Sequence, residues 1–428
     1  MQDKAYQYLY KHGQTSDCID ADSEIEAFLR EMEKGLNGEK SSLEMIPSYL
    51  PSTFEIIKNK RNIVIDAGGT NFRSAVAYFD NNGVCVLEEA RKTVMAGVGK
   101  EVSKARFYDH IAYNIKHLMG KGENIGFCFS YSVDTHPDRD GTVKAFSKEV
   151  RAKEVVGTKV GACTLEALKK YDDTPRKIAV LNDTVACLLG GKGANLNDEC
   201  SSYLGYIYGT GTNVSYVEQN KNIKKISGVD LNGDMVINTE CGGYDKFNLG
   251  TFDKITDRES ATPNQHIAEK MTSGRYLSMV IYNAVIGAQK ENLFTGEVVI
   301  PMKCFADTAT ISDFLTNPEN NANRMRRCFY GETDRRFVRE IALQIIDRAA
   351  KIGAIMVTAC MVKSGGGTPN RKPIGIVVEG TTFSKLYSYR EKFTAYLDEY
   401  CAKRNLSYKI ITGKNLNLVG TALAALSL

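Results

Sequence analysis

The sequence of 428 residues contains no tryptophan, only five histidines and no long apolar run. No stretch approaches the roughly 18 apolar residues that a membrane-spanning helix needs, so we expect no membrane partner. The scattered histidines and the eleven cysteines, which lack a Cys-x-x-Cys pair, show no spacing typical of a metal site. An odd number of cysteines fits reduced thiols, and the polar N-terminus lacks a signal peptide's apolar segment. We therefore expect a cytoplasmic protein.

Strong charge of either sign is also missing. The formal net charge is +4, and the lysines and arginines are spread along the chain rather than clustered. This distribution indicates an ordinary solvated surface and argues against a nucleic-acid partner. Hydrophobic residues make up 43% and charged residues 25%, which are values typical of globular proteins. The length predicts two or three domains with a large core.

Two glycine-rich turns are the most informative motifs present. Residues 66–71 (Asp-Ala-Gly-Gly-Thr-Asn) lie between apolar runs at 62–65 and 74–79, and residues 209–213 (Gly-Thr-Gly-Thr-Asn) lie between similar runs. Glycine lets backbone N–H groups approach an anion closely, and the threonine hydroxyls add donors. Two such turns, one in each lobe, can hold a polyphosphate from both sides. This arrangement points to phosphoryl transfer.

A candidate base lies between the two turns. Asn182, Asp183 and Thr184 follow directly after an apolar strand predicted at 177–181. Side chains at the C-terminal ends of strands gather at the active edge of α/β folds. A carboxylate there can accept the proton of a hydroxyl that attacks phosphorus. The alternative is that Asp183 only caps the helix that follows.

The order of predicted elements indicates an internal duplication. From residue 62 the pattern is strand, strand, strand, helix, strand, helix, strand, and the hairpin pattern begins again at residue 203. The Gly-Thr-Asn at 69–71 corresponds to the Gly-Thr-Asn at 211–213. An amphipathic helix is predicted at 24–36, mostly helical structure after residue 251, and a small-residue helix at 420–428.

Two common nucleotide-binding motifs are missing. The sequence has no Gly-x-x-x-x-Gly-Lys-Ser/Thr, which excludes a P-loop kinase by this route. The Gly-x-Gly at 209–211 lacks the third glycine of a dinucleotide fingerprint, so a Rossmann oxidoreductase is not supported.

The motifs resemble those of the hexokinase family, within the actin and sugar-kinase superfold. The resemblance covers nearly the whole chain, including the N-terminal segments 28–36 and 45–49. Segment 129–150 is similar to the family's sugar-binding segment without insertion or deletion. Residues 238–240 and 269–277 resemble two further sugar-binding stretches. The resemblance implies an α/β, two-lobed actin/hexokinase-like fold with a duplicated β-β-β-α-β-α-β core and a central cleft.

The resemblance also implies roles for individual residues. It makes Asp183 the general base, with Lys148 as a second catalytic residue near the transferred phosphoryl group. The residues implied to bind the sugar are Ser130, Ser147, Lys148, Asn182, Asp183, Asn213, Glu240 and Glu269. Those implied to bind ATP are Asp66, Gly69, Thr70, Asn71, Arg73, Gly209, Thr210, Gly211, Gly380 and Thr381. Asp66 would hold Mg²⁺ through water, because this ion keeps much of its hydration shell.

Five positions near the sugar segments depart from the family pattern. Ser132 replaces a usual Pro, Phe146 and Cys241 replace usual Trp residues, Ser147 replaces Thr, and Glu149 replaces Gly. Serine keeps the hydroxyl of threonine, whereas phenylalanine removes an indole donor and some volume. The reaction type is unaffected by these changes, but the identity of the hexose is left open.

From the resemblance we predict MgATP-dependent phosphorylation of the 6-hydroxyl of a hexose, glucose above all, as the first step of sugar catabolism. The alternatives are a non-catalytic hexose sensor on the same fold, or a sugar kinase that prefers mannose or glucosamine. We predict a small lobe of residues 62–183 plus 413–428 and a large lobe of residues 1–61 plus 184–412. Hexose and ATP are the expected partners, and a homodimer stays open.

Overall fold

The computed structural model describes residues 2–53, 55–146, 150–194 and 200–428. Its strands form a larger sheet, a smaller sheet and a separate hairpin. The strands are β1 (Ile46–Pro47), β2 (Asn62–Gly68), β3 (Asn71–Phe79), β4 (Cys85–Val94), β5 (Ile125–Phe129), β6 (Ser132–Thr135), β7 (Gly141–Ala145), β8 (Ile178–Leu181), β9 (Ser202–Tyr208), β10 (Thr212–Gln219), β11 (Asp234–Asn238), β12 (Ile374–Glu379) and β13 (Tyr408–Ile411).

Helices cover both sheets. They are α1 (Gln2–Lys11), α2 (Ala21–Asn37), α3 (Lys104–Ile115), α4 (Val160–Leu168), α5 (Asp183–Ala194), α6 (Thr251–Glu259), α7 (Ile267–Thr272), α8 (Gly274–Lys290), α9 (Thr308–Thr316), α10 (Glu332–Ser364), α11 (Thr381–Lys385), α12 (Tyr389–Arg404) and α13 (Leu416–Leu426). Every helix in the described part of the chain is too short or too polar to cross a bilayer.

The smaller sheet has the order β4-β3-β2-β5-β8. Strands β2, β3 and β4 pair antiparallel as a meander, whereas β2, β5 and β8 run parallel. Every residue of β5 and β8 is buried. Such continuous apolar strands are typical of parallel sheets with both faces covered. The polar outer strand β4 is largely exposed, as suits an edge.

The larger sheet repeats this topology. Its order is β1-β11-β10-β9-β12-β13, with β9, β10 and β11 antiparallel and β9, β12 and β13 parallel. Apart from the two-residue strand β1 at its edge, the strand order 3-2-1-4-5 is the same in both sheets. The duplication predicted from the repeated Gly-Thr-Asn is therefore confirmed, together with the α/β fold.

Two helices with small residues pack between the sheets. A buried hydrophobic cluster joins α5 and α13 to residues of both sheets, including Val64, Val236 and Val377. The backbones of α5 and α13 approach closely because glycines lie at the crossing. A Cβ on Gly190 would lie 1.9 Å from the carbonyl oxygen of Leu416, and one on Gly420 would lie 1.9 Å from that of Ala186. The glycines thus set the distance between the helices.

Several predicted boundaries differ from the structure. The predicted helix at 24–36 begins earlier, at Ala21, because the side chain of Asp20 accepts a hydrogen bond from the N–H of Ser23 and caps it. The C-terminal helix begins at Leu416 rather than residue 420. Strands β1, β6, β7, β11 and β13 and helix α1 were not predicted. The polar and partly exposed residues of β6 and β7 carry little of the alternation that marks a strand. The lobe boundaries stay a prediction.

Candidate active site

The first glycine-rich turn connects β2 to β3, as predicted. Gly69 has a φ of +59°, and its carbonyl oxygen accepts a hydrogen bond of 2.7 Å from the Tyr131 hydroxyl. Gly68 lies against Ser130, since an added Cβ would be 3.0 Å from the Ser130 hydroxyl oxygen. Ser130 and Tyr131, which follow β5, therefore support the turn by packing and by a hydrogen bond. Thr70 is partly exposed and Asn71 is exposed.

The second turn connects β9 to β10 and rests on the start of α8. The Gly209 N–H donates to the Gly211 carbonyl at 2.9 Å, and the Gly274 N–H donates to the Gly209 carbonyl at 2.9 Å. Gly380, after β12, fits against the same turn with a φ of +128°. A Cβ there would lie 2.1 Å from the Tyr208 carbonyl oxygen, so only glycine fits without displacement of the turn.

Both turns border one cleft of about 920 Å³. The cleft brings together residues of the two sheets that are far apart in the sequence. The predicted site residues that line it are Asp66, Gly69, Thr70, Asn71, Arg73, Ser130, Asp183, Thr210, Gly211 and Thr381. Six other predicted residues are not among the residues that line the cleft: Asn182, Gly209, Asn213, Glu240, Glu269 and Gly380. The structure therefore places the candidate base in the same cleft as both turns.

Asp183 is the first residue of α5, but the helix cap is provided by its neighbour. The Thr184 N–H donates to the Asn182 side-chain oxygen at 2.8 Å. Asn182 thus satisfies a free N–H of the first helical turn. The hydroxyl of Thr184 reaches the Asp183 carboxylate at 3.4 Å. Because the capping role falls to Asn182, the Asp183 carboxylate is left to face the cleft.

Asp66 is a buried carboxylate at the end of β2, with only 4% of its surface exposed. It forms a salt bridge with Arg73 from the neighbouring strand. Burial raises the pKa of Asp66, the positive charge of Arg73 opposes that rise, and the charge of Asp183 adds to it. Carboxylate oxygens are ligands that Mg²⁺ prefers, so Asp66 suits such an ion in chemistry and position.

A third carboxylate near Asp66 was not predicted as a site residue. Glu379 ends β12, and burial, with the negative charge of Asp66, raises its pKa to about 7. The Asn417 N–H donates to this carboxylate. In the sequence, the turn that begins at Glu379 resembles the hexokinase family's Asp-Gly-Ser/Thr turn. This resemblance is the signal by which Glu379 could have been found.

Two residues predicted to bind sugar, Asn213 and Glu240, are connected by hydrogen bonds through Asn238, which was not predicted as a site residue. The Asn213 amide donates to the Asn238 side-chain oxygen at 2.8 Å, and the Asn238 amide donates to Glu240 at 2.7 Å. The N–H groups of Val214 and Cys241 fix the orientation of Asn213 by donating to its side-chain oxygen. These bonds hold the amides in one orientation, which is what selective recognition of hydroxyl groups requires.

The Glu269 carboxylate packs against the second turn. Its Oε2 accepts a hydrogen bond of 3.4 Å from the Thr212 N–H. A Cβ on Gly211 would come within 2.6 Å of the same oxygen, so the turn and the carboxylate pack without intervening atoms. Glu269 lies in the first turn of the short helix α7, and its Cβ lies beside Gly242. The structure thus joins a residue predicted to bind sugar to a turn predicted to bind phosphate.

Carboxylates from separate elements influence each other here. Burial raises the pKa of Glu240 to about 7, and the charges of Glu44, Asp183 and Glu269 add to that rise. Glu240 also has a φ of +52°, in the left-handed region that most residues avoid. A strained backbone and a carboxyl that titrates near neutrality are features that concentrate at functional sites.

Two predicted residues, Ser147 and Lys148, lie outside the described residues, as does the departure at Glu149. The described part of that segment ends with Phe146, which stands where the family usually has Trp. Its ring packs against Phe107 at 5.5 Å and against Tyr131 at 5.1 Å between centroids. Phe146 is thereby connected to the tyrosine that supports the first turn.

Sequence interpretation missed part of the cleft lining. The additional lining residues are Gly68, Lys92, Ile207, Gly274, Arg275, Ala306, Asp307, Thr308, Thr382 and Asn417. Lys92 pairs directly with Arg73 across β3 and β4, so extension of the predicted hairpin would have located it. Residues 306–308 lead into α9, in a region that was predicted only as mostly helical. The sequence there offers no signal that would place these residues at the cleft.

Comparison with known proteins identifies the family. Two sequence profiles described as hexokinase match residues 203–427 and residues 20–192. The chain belongs to the hexokinase family. It is 25% identical to Hexokinase-1 of Schizosaccharomyces pombe over 409 residues, which cover 90% of this chain and 82% of that protein. It is 26% identical to the hexokinase of Schistosoma mansoni over 393 residues, or 86% and 84% of the two chains.

Solved structures agree with this assignment at the level of the fold. The structure of the Schistosoma mansoni hexokinase complexed with glucose superimposes with a TM-score of 0.81 at 22% identity. The match covers 99% of this chain and 100% of that one. As a hexokinase family member, the chain is a hexose kinase, of the class of enzymes that use ATP with magnesium.

Proposed function

We propose that this member of the hexokinase family transfers the terminal phosphoryl group of MgATP to the 6-hydroxyl of glucose, with Asp183 as general base. The observation that carries the proposal is the position of Asp183. Its carboxylate faces a cleft bordered by both glycine-rich turns, while the capping of α5 is left to Asn182. A base next to two polyphosphate-binding turns is the arrangement that phosphoryl transfer to a hydroxyl requires.

The proposed base acts on a hydroxyl that is a weak nucleophile at neutral pH. Asp183 would accept its proton as the bond to phosphorus forms, which avoids a separate alkoxide. Lys148 is proposed to approach the transferred phosphoryl group as a compact positive charge. The reaction therefore depends on positioning and charge rather than on a covalent intermediate with the protein.

The proposed hexose site uses amides and carboxylates. Asn182, Asn213, Glu240 and Glu269, with Ser130 and Ser147, would donate to and accept from the sugar hydroxyls. The hydrogen-bonded chain that ends at Glu240 supports this assignment because its members are already oriented. A sugar that lacks one hydroxyl would leave a buried polar group without a partner, which costs affinity.

The proposed ATP site uses the two turns and the residues beside them. Gly69, Thr70, Asn71 and Arg73 would contact the phosphates from one sheet, and residues 209–211 from the other, with Gly380 and Thr381 beside the nucleoside. Asp66 would hold magnesium through water. When bound, the ion supplies positive charge that stabilises the phosphates during transfer. Arg73 orients the Asp66 carboxylate by its salt bridge.

The elevated pKa of Glu240 leads to a pH prediction for hexose binding. With a pKa of about 7, the carboxyl is mostly protonated at pH 6 and mostly ionised at pH 8 in the free protein. Only the ionised form accepts hydrogen bonds on both oxygens. We therefore expect the hexose dissociation constant to fall by roughly tenfold from pH 6 to pH 8, measured by calorimetry.

The Glu240→Gln variant is the control for that prediction. It has similar size but no titrating group, so its weaker hexose binding should vary little over the same pH range. In Glu269→Gln the slope should persist with a lower midpoint, because one negative neighbour of Glu240 is removed. An unchanged slope in Glu240→Gln would show that another group causes the pH dependence.

A substrate panel tests the proposed acceptor. Glucose, mannose, fructose, glucosamine and 6-deoxyglucose are offered with MgATP, and the products are assigned by phosphorus NMR. Glucose 6-phosphate as the product with the highest kcat/KM, with no product from 6-deoxyglucose, would support the proposal. Faster turnover of mannose or glucosamine would change the substrate but keep the reaction. Hexose binding without any product would favour a non-catalytic sensor.

A further inference from the structure

A second cavity, which we call the rear pocket, lies at the opposite end of the large sheet from the cleft. It has a volume of about 700 Å³. The beginnings of β9 and β11 and the end of β10 contribute to its lining, whereas the opposite ends of β9 and β10 carry the second turn. The last turn of α5 supplies Lys192, and the loop before β12 supplies Arg371. None of the residues assigned to the hexose or ATP lines this pocket.

Three cations line the rear pocket. Lys363 forms a salt bridge with Glu33, whereas the other two have carbonyl partners. The Lys192 ammonium donates to the Ser52 carbonyl oxygen, and its distance to the Thr53 hydroxyl is 3.4 Å. The Arg371 guanidinium donates to the Gly365 carbonyl oxygen at 3.0 Å. Within the described ranges, no carboxylate lies within 4.0 Å of either charge. Burial lowers the pKa of Lys192, and the negative charge of Asp234 opposes that fall.

The carboxylates of the rear pocket are engaged elsewhere. Glu218 accepts hydrogen bonds from the Tyr216 hydroxyl at 2.8 Å, the Gln219 N–H at 2.9 Å and the Asn222 amide at 2.8 Å. Asp234 accepts from the Ser52 N–H at 2.8 Å and from its hydroxyl at 2.7 Å. Glu218 also lies 4.0 Å from the Lys363 ammonium, and the negative charge of Asp234 acts on Lys192. Among the described residues that line the pocket, Lys192 and Arg371 are the cations without a salt bridge.

Serine hydroxyls also line the pocket, and those of Ser201 and Ser364 donate to the carbonyl oxygens of Pro373 and Met361. Ser201, Ser202 and Ser364 line the pocket together with the two cations. Arginine and lysine side chains are the groups that bind phosphate oxygens in proteins. We propose that the rear pocket binds a small phosphate-bearing anion through Lys192 and Arg371, as a site separate from the catalytic cleft.

The position of the rear pocket connects this site to the reaction. The chain passes from the large sheet to the small sheet through the segment between β1 and β2, and it returns through α5. The hydrogen bond from Lys192 to Ser52 connects these two crossing segments. Lys192 lies in the last turn of α5, and Asp183 is the first residue of the same helix. An anion that engages Lys192 competes with that bond. Its binding should therefore change the KM for hexose.

Anion binding is tested with the cleft already filled. Full-length protein is saturated with hexose and a non-hydrolysable ATP analogue, and inorganic phosphate or pyrophosphate is titrated by calorimetry at fixed ionic strength. We expect one saturable phosphate site per chain. Arg371→Gln should weaken it by about tenfold or more, the loss typical of a charge-assisted contact. Lys192→Gln should have a similar effect.

Lys58→Gln is the matched control for these variants. Lys58 also donates to a carbonyl oxygen, that of Asn81 at 2.7 Å, but it does not line the rear pocket. Its binding of phosphate should equal that of the wild type. Absence of saturable binding with the cleft filled would overturn the proposal, as would binding that Arg371→Gln leaves unchanged. Because Arg371 is exposed, its variant remains informative even if Lys192→Gln folds poorly.

Discussion

Replacement of Asp183 by alanine is expected to lower hexose-dependent turnover by about 10²–10⁴-fold. The carboxylate faces the cleft between the two glycine-rich turns, so its removal takes away the proposed proton acceptor. The fold should persist because Asn182, not Asp183, caps α5. The measurement is steady-state ADP formation with MgATP and glucose, together with hexose binding by calorimetry. The loss should fall mainly on kcat.

Asp183→Asn separates the chemistry from the shape of the site. The amide has nearly the same size and still forms hydrogen bonds, but it cannot accept the proton of the sugar hydroxyl. It should therefore lose turnover to a similar extent while its melting temperature stays near that of the wild type. Turnover that survives in both variants would mean that another group is the base. Loss that tracks a lower melting temperature would indicate a structural role instead.

The second large effect is expected at the crossing of α5 and α13. Alanine at Gly190 or Gly420 would place a methyl group within 1.9 Å of a carbonyl oxygen of the facing helix. The helices would have to separate, because a backbone carbonyl cannot rotate away as a side chain can. We expect a loss in the free energy of unfolding of about 3 kcal/mol, at the upper end for overpacking. Chemical denaturation measures this loss.

Gly193→Ala is the matched control on the same helix. Its Cβ would meet the Leu423 methyl carbon at 2.8 Å, and side-chain atoms can move aside. Since alanine favours helix over glycine by up to about 1 kcal/mol, the control should be nearly neutral. Equal losses for Gly193→Ala and Gly190→Ala would contradict a role for the backbone contact. Because α5 carries Asp183, Gly190→Ala should also reduce kcat.

The parts of the molecule that the sequence predicts best are those with strong local signals. The two turns are marked by glycine, threonine and flanking apolar runs, and the structure places both at one cleft. The repeated Gly-Thr-Asn predicted a duplication that the matching strand orders confirm. These features depend on short-range rules for turns and strands, which the sequence displays directly.

Features that depend on tertiary contacts were not predictable. The sequence could not decide whether Asn182 or Asp183 caps α5, because either residue type can fill that position. Residues 306–308 reach the cleft only through the packing of α9. The hairpin of β6 and β7 has weak alternation, so its strands were missed. The rear pocket combines residues that are far apart in the sequence, from Ser52 to Arg371, and no local pattern connects them.

The most direct test is the rate of ADP formation from MgATP with and without glucose, using the purified full-length chain. The proposed function predicts a rate that saturates with glucose, exceeds the rate without sugar by orders of magnitude, and yields one glucose 6-phosphate per ADP. Saturable glucose binding with no glucose-dependent ADP formation would contradict it, and would leave the fold as that of a hexose-binding protein without kinase activity.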